Sequence, residues 1–222
     1  RGRVLEFRGG VADAVPKSIA SRLIEPAMQM AQPVRIVCRE WKLDTLLGEL
    51  AMHRLDLVIA DAPIPPSINV RAFNHRLGSS GTSFFATPGL RAGGRSAFPS
   101  CLDRAPLLLP AEESAVGQRL RAWLRSQSLH PRVVAECDDS ALAKMLGQRG
   151  LGLFVGPTVL EAEIEQQYGV RAIGRVPEVE EEFFVITVER RITHPCVTAI
   201  TSAARTGLFG APARRGNRRQ LA

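Results

Sequence analysis

The sequence predicts an α/β fold built as two lobes with a cleft between them. Three observations carry this. Strand-like and helix-like segments alternate almost throughout the chain. A second βα set begins near Thr82, after a Pro63-Ile64-Pro65-Pro66 turn and a weaker extended segment. A last strand and helix then return the chain toward the first set. The predicted boundaries are 1–77 for the first lobe, 78–175 for the second, 176–209 for the return, and 210–222 for a disordered basic tail.

In the first set, Val4 to Ala12 reads as a strand. Ser18 to Met30 carries Ile19, Leu23, Ala27 and Met30 at helical spacing, and Pro26 inside that pattern should kink or split the helix. Val34 to Arg39 alternates apolar and polar residues as a second strand. The helix from Leu43 aligns Leu43, Leu46, Leu47 and Leu50 on one face. It feeds the apolar run Leu55 to Ala60, which ends abruptly on Asp61, Ala62 and Pro63. Val70 to Leu77 is a weaker extended segment.

In the second set, Ser83 to Ala86 reads as a strand, Ala92 to Ser96 as a Gly-rich loop and Pro106 to Leu109 as a short buried strand. Ala115 to Gln127 is a helix with Val116, Leu120, Trp123 and Leu124 on one face. Arg132 to Cys137 is a strand. Asp138-Asp139-Ser140 then supplies an N-cap for a helix that aligns Leu142, Met145 and Leu146. Gly150 to Val155 is a strand closed by Gly156-Pro157-Thr158, followed by a helix to about Gln167 and a short strand from Val170 to Ile173. Phe183 to Val188 and the helix Pro195 to Leu208 close the fold.

Composition excludes several classes. No apolar run approaches the roughly 20 residues needed to cross a bilayer, and the N-terminus lacks the apolar stretch of a signal peptide, so a cytoplasmic protein is expected. Cys38, Cys101, Cys137 and Cys196 are far apart, which argues against a zinc site or a disulfide framework; Cys38 and Cys137 read as small buried hydrophobes. The net charge of +7 is concentrated in part in the tail, at Arg214, Arg215, Arg218 and Arg219. No helix-turn-helix, zinc finger or aromatic-basic signature is present. The run Gly150 to Gly156 has the wrong spacing for a dinucleotide fingerprint, and the four histidines are dispersed. No catalytic constellation is recognisable, so a binding module is expected ahead of an enzyme, with no cofactor.

What remains is acids at strand ends. Asp13 follows the first strand, Glu40 the second and Asp61 the third; Asp138 and Asp139 follow the strand ending at Cys137. In open α/β sheets ligands sit outside the carboxyl ends of the strands. For a single Asp before a helix the ordinary N-cap is the favoured reading. Recurrence at four strand ends points instead to a shared acidic cleft, with Asp13, Asp61, Asp138 and Asp139 as candidate ligands of a monovalent cation. Like charges raise each other's pKa unless a cation is present, and oxygen donors suit hard cations. Lys17 and Lys42 are near enough to pair with an acid in the empty state.

Gly10-Val11-Ala12-Asp13-Ala14, the run Leu55 to Pro63, Phe98-Pro99-Ser100-Cys101-Leu102, Asp138 to Leu142, Ile173 to Val176, Glu181-Glu182, Glu189-Arg190 and His194-Pro195 together resemble the effector-binding domain of LysR-type transcriptional regulators. Within that family the resemblance is to a regulator of a sodium/proton antiporter. It implies a fold like type 2 periplasmic binding proteins, with two Rossmann-like lobes, two crossover strands and head-to-tail pairing into dimers or tetramers. It also implies promoter DNA as a partner, through an N-terminal helix-turn-helix that this sequence does not contain, contact with RNA polymerase, and sodium or lithium as the signal for transcriptional activation. Carried over by position, the effector site would use Asp13 and Ala14, then Glu40, Trp41 and Lys42, then Asp61 and Ala62, with Ser114, Ala115, Asp138, Asp139, Gly156, Pro157 and Thr158 on the opposite wall. Many members place a hydroxyl residue after the first strand, where Asp13 and Ala14 stand here. The rivals are a sensor of a small organic molecule, a solute-binding protein of the same fold, and an inert or dominant-negative fragment.

Overall fold

A computed structural model describes residues 4–90 and 97–210. The Ala92–Ser96 loop and the basic tail predicted from the sequence lie outside the described residues. The elements are β1 (Leu5–Ala12), α1 (Lys17–Met28), β2 (Val34–Trp41), α2 (Leu43–Ala51), β3 (Leu57–Ala60), β4 (Phe73–Ala86), β5 (Pro106–Pro110), α3 (Ala115–Ser126), β6 (Arg132–Cys137), α4 (Ser140–Gln148), β7 (Phe154–Pro157), α5 (Glu161–Tyr168), β8 (Arg171–Thr187) and α6 (Pro195–Ala203).

Six strands form one sheet in the order β2-β1-β3-β8-β4-β7, and β5 pairs with β6 in parallel beside it. The two long strands organise the molecule. Phe73 to Ser80 of β4 pairs antiparallel with Thr187 to Glu181 of β8, on the side where β3 also joins β8. Thr82 to Ala86 of β4 pairs with Val176 to Arg171 of β8, on the side where β7 joins β4. Between these halves the register slips: Ser80 faces Glu181 and Thr82 faces Val176, so Gly81 alone stands opposite residues 177–180. A Cβ at Gly81 would lie 3.0 Å from the Pro177 backbone, so glycine permits this close approach. Pro177 lacks an N–H for the ladder and falls in the irregular stretch. Both connections between the halves run through this irregular pair of strands.

The sequence reading splits each long strand in two. Val70 to Leu77 and Ser83 to Ala86 are the ends of β4, and Val170 to Ile173 and Phe183 to Val188 the ends of β8. The Gly/Ser run Gly78 to Gly81 looks like a loop, yet it is strand, held small because a Cβ at Gly78 would strike Phe209 at 2.3 Å. Pro26 neither splits nor interrupts α1; the helix passes through it, forgoing the N–H that would donate to the carbonyl four residues back, and stops two residues later.

The apolar faces of α1, α2, α3 and α6 pack as their periodicity requires, with Ile19, Leu23, Ala27, Leu46, Leu47, Leu50, Leu120, Leu124, Val197 and Ile200 buried. Helix α4 differs. Leu142 and Met145 are 51% and 59% exposed, and Ala143, Lys144 and Gly147 face inward. Gly147 lets Phe154 stack against Phe85 at 5.3 Å, since a Cβ there would meet the Phe154 ring at 2.1 Å. Cys38 is exposed, contrary to expectation, because β2 is the sheet's edge strand; Cys101, Cys137 and Cys196 are buried. Among the described residues no helix is long and apolar enough to cross a membrane.

Candidate functional site

A cleft of about 670 Å³ opens over the slipped register of β4 and β8. Its walls are built from strand ends and helix starts. On one side stand Asp13, Ala14, Pro16 and Lys17, between β1 and α1, with Glu40 and Lys42 at the end of β2. Opposite are Ala111, Glu113 and Ser114 between β5 and α3, Asp138, Asp139 and Ser140 between β6 and α4, and Gly156 and Pro157 at the end of β7. Thr82 of β4, Glu181 of β8 and Lys144 of α4 complete it. Strands β1 and β2 run parallel, as do β5 and β6, so both walls present carboxyl strand ends to one space.

Of the fourteen residues predicted for the site, nine line this cleft: Asp13, Ala14, Glu40, Lys42, Ser114, Asp138, Asp139, Gly156 and Pro157; Ala115 does not, and its neighbour Val116 does. Trp41 is 41% exposed and offers only its backbone carbonyl, which accepts from the Asp13 N–H at 3.0 Å. Thr158 is turned away to a network in which Ser83 Oγ sits 2.9 Å from Thr158 Oγ1 and donates to Glu161 Oε2 at 2.9 Å. Arg175 clamps Glu161 from the other side with two hydrogen bonds, of 2.8 and 2.7 Å, which hold that carboxyl below its ordinary range. Asp61 and Ala62 are half-buried and stand outside the wall. Asp61 still acts on the cleft: burial pushes its pKa up and the charge of Asp13 adds to this, while a hydrogen bond from its own backbone N–H and the charge of Arg119 oppose them.

Several polar groups are already engaged. Lys17 pairs with Glu40 across the β1 and β2 ends. Asp139 caps α4 by accepting from the Ala141 N–H at 2.8 Å, so it is both cap and wall. Ser114 caps α3, its hydroxyl accepting from the Gly117 N–H at 3.0 Å and donating to the Ala111 carbonyl at 2.8 Å. Of the four predicted cation ligands, Asp13, Asp138 and Asp139 line the cleft and Asp61 stands outside it; among the described residues no group of three or more His, Cys, Asp or Glu is placed to hold a metal ion.

Two residues at the floor are absent from the predicted site. Glu181 is only 8% exposed and its carboxylate has no hydrogen-bond partner among the described residues. Burial, and next the charge of Asp61, push its pKa up to about 7, while Lys144 and Arg119 pull the other way. Lys144 is 2% exposed and donates to Ser18 Oγ at 3.2 Å. Burial depresses its pKa, against the pull of Glu181 and Asp139. A signal for Glu181 exists in the sequence. Val179, Glu181, Phe183 and Val185 alternate on one strand face, and three of the four are core residues.

Comparison with known proteins agrees with this architecture. Residues 5–208 match the family described as LysR substrate binding domain. The transcriptional activator protein NhaR of Escherichia coli is 36% identical over 205 residues, covering 92% of this chain and 67% of that protein. The CcmR regulatory domain of Synechocystis PCC6803, solved in complex with 2-PG, superposes with a TM-score of 0.66 at 14% identity, over 94% of this chain and 99% of that one. Vibrio fischeri DarR, solved in complex with DNA, superposes with a TM-score of 0.65 at 18% identity, over 90% of this chain and 67% of that one. At such identities the two structures speak for the fold alone. The family match and the NhaR identity carry the assignment: the chain belongs to the LysR substrate-binding-domain family, the effector-binding part of LysR-type transcriptional regulators, and is no enzyme.

Proposed function

We propose that this domain is the sensor of a cytoplasmic LysR-type activator whose signal is sodium or lithium, taken up in the acidic cleft to activate antiporter transcription. The observation that carries the reading is Glu181, a buried residue whose carboxylate has no hydrogen-bond partner among the described residues, at the point where both connecting strands slip register. The cleft lining adds to it, with Asp13, Glu40, Glu113, Asp138, Asp139 and Glu181 set against Lys17, Lys42 and Lys144. A small cation needs few carboxylates, because hydroxyl, carbonyl and water oxygens complete its shell. By neutralising repulsion between the walls it favours a closed pose, and it shifts the balance only by its differential affinity for the two poses.

Isothermal titration with sodium, lithium and potassium chloride at matched ionic strength tests this. Heat specific to sodium and lithium, lost in the double variant Asp61→Asn and Asp139→Asn, is the expected result. Asn keeps the α4 cap, so folding is retained. Equal responses to all three salts would remove selective sensing. A second reading, a small organic effector, is favoured by the volume of about 670 Å³, within the usual range for small-molecule pockets, and by the lack of a three-ligand cluster.

In a complete regulator, we infer, closure is passed on through pairing of effector domains and reaches promoter DNA and RNA polymerase. Support lies in apolar residues left on the surface. Val133 and Val134 of β6 and Leu142 and Met145 of α4 are 45%, 37%, 51% and 59% exposed, and Met28 of α1 is 69% exposed. Replacing Val134 and Met145 together by Asp is expected to weaken self-association by about tenfold or more in sedimentation velocity, with the fold intact by circular dichroism. An unchanged sedimentation profile would place the pairing surface elsewhere.

A further inference from the structure

Lys144 is the most deeply buried charged side chain among the described residues, 2% exposed. It stands on α4 and reaches across the cleft, where Ser18 of α1 accepts its hydrogen bond at 3.2 Å. Among the described residues that is the one hydrogen bond of an ammonium that has three protons to donate. Among the described residues it makes no ion pair with a carboxylate within 4.0 Å, although it feels Glu181 and Asp139. The Glu181 carboxylate in turn has no hydrogen-bond partner among the described residues. Two buried groups of opposite charge thus line one cleft from different elements without touching.

We propose that Lys144 is the internal counter-ion of the effector site and sets its threshold. With no signal bound, the ammonium offsets the charge of Glu181 and Asp139 from a distance and keeps the acidic floor tolerable. A signal cation settling at Glu181 does so against that fixed positive charge. The resident lysine therefore lowers affinity for every cation, and the Ser18 link holds it in place. This rests on the cation reading of the cleft. A lysine kept only for packing would leave ion affinity alone when replaced by a side chain of similar length.

The test compares the wild-type chain with Lys144→Met, Lys144→Gln and Lys144→Arg, titrated with sodium and lithium chloride at pH 8 against choline chloride at constant ionic strength. Removing one charge from the lining of the same cleft is expected to tighten sodium and lithium binding about tenfold in both neutral variants. Lys144→Arg keeps the charge and is expected to stay within about twofold of wild type. Met and Gln differ in polarity, so one is expected to fold even if the other does not. Unchanged or weaker affinity in a folded neutral variant, while the wild type binds, would overturn the counter-ion role alone. Absence of selective binding in all four chains would overturn the cation reading and this inference with it.

Discussion

Glu181→Gln is expected to raise the thermal midpoint of the domain by about 5–10 °C at pH 8, to leave it nearly unchanged at pH 4.5, and to abolish selective cation binding. The sign follows from where the proton sits. The Glu181 pKa is pushed up to about 7 in the folded chain, from an ordinary carboxylate value of 4.5. Below pH 4.5 both folded and unfolded chains hold the proton, and the group contributes no pH dependence. Between 4.5 and 7 the folded chain keeps a proton that the unfolded chain has lost, so stability falls as pH rises. Above 7 the buried carboxylate is charged and the full penalty is present, on the order of 3 kcal/mol. Gln keeps the shape and carries no charge. Melting curves of the two chains at pH 4.5, 6, 7 and 8 check this; parallel pH profiles would show that Glu181 titrates normally. Cation affinity in the wild type follows the same proton in the opposite sense. Binding needs the carboxylate, so affinity climbs with pH up to about 7 and levels off above it.

Gly117→Ala is expected to destabilise the domain by about 3 kcal/mol, although alanine is the better helix former. Gly117 is the third residue of α3. A Cβ there would lie 2.0 Å from the Ala111 carbonyl oxygen and 2.8 Å from Ser114 Oγ. Neither neighbour can yield. The Ala111 carbonyl accepts from the Ser114 N–H at 3.2 Å and from its hydroxyl at 2.8 Å, and that hydroxyl caps the helix by accepting from the Gly117 N–H. Making room breaks the turn that forms one wall of the cleft. Gly48→Ala on α2 is the control, because a Cβ there meets nothing within 4 Å and should be neutral or stabilising by up to about 1 kcal/mol. Chemical denaturation of the two variants separates these outcomes, and equal effects would remove the steric argument.

The alternation of strands and helices was legible because most elements bury one clean face: the Leu46, Leu47 and Leu50 stripe of α2 and the apolar run Leu57 to Ala60 need no tertiary context. Most of the cleft was legible too, since acids at the ends of β1, β2 and β6 follow from the geometry of parallel sheets. Three features were not. The unity of β4 and β8 was hidden by Gly78-Ser79-Ser80-Gly81, whose glycines answer to Phe209 and Pro177 and not to a turn. The inward face of α4 was hidden because Leu142 and Met145 advertise a core they do not join, and the buried place goes to Lys144. The floor of the site was hidden because a Glu in a run of three acids reads as solvated surface until the strand's alternation is followed through it.

The two long strands also govern how the chain can be made. Residue 73 finds its partner at residue 187, and β3 near residue 58 waits for residue 186. Contacts so distant along the chain slow folding. On a ribosome, the first seventy or so residues emerge with an uncovered strand edge and stay immature until nearly the whole domain has left the exit tunnel. A chain cut anywhere before β8 would therefore be a substrate for chaperones and proteases, never a half-sized sensor.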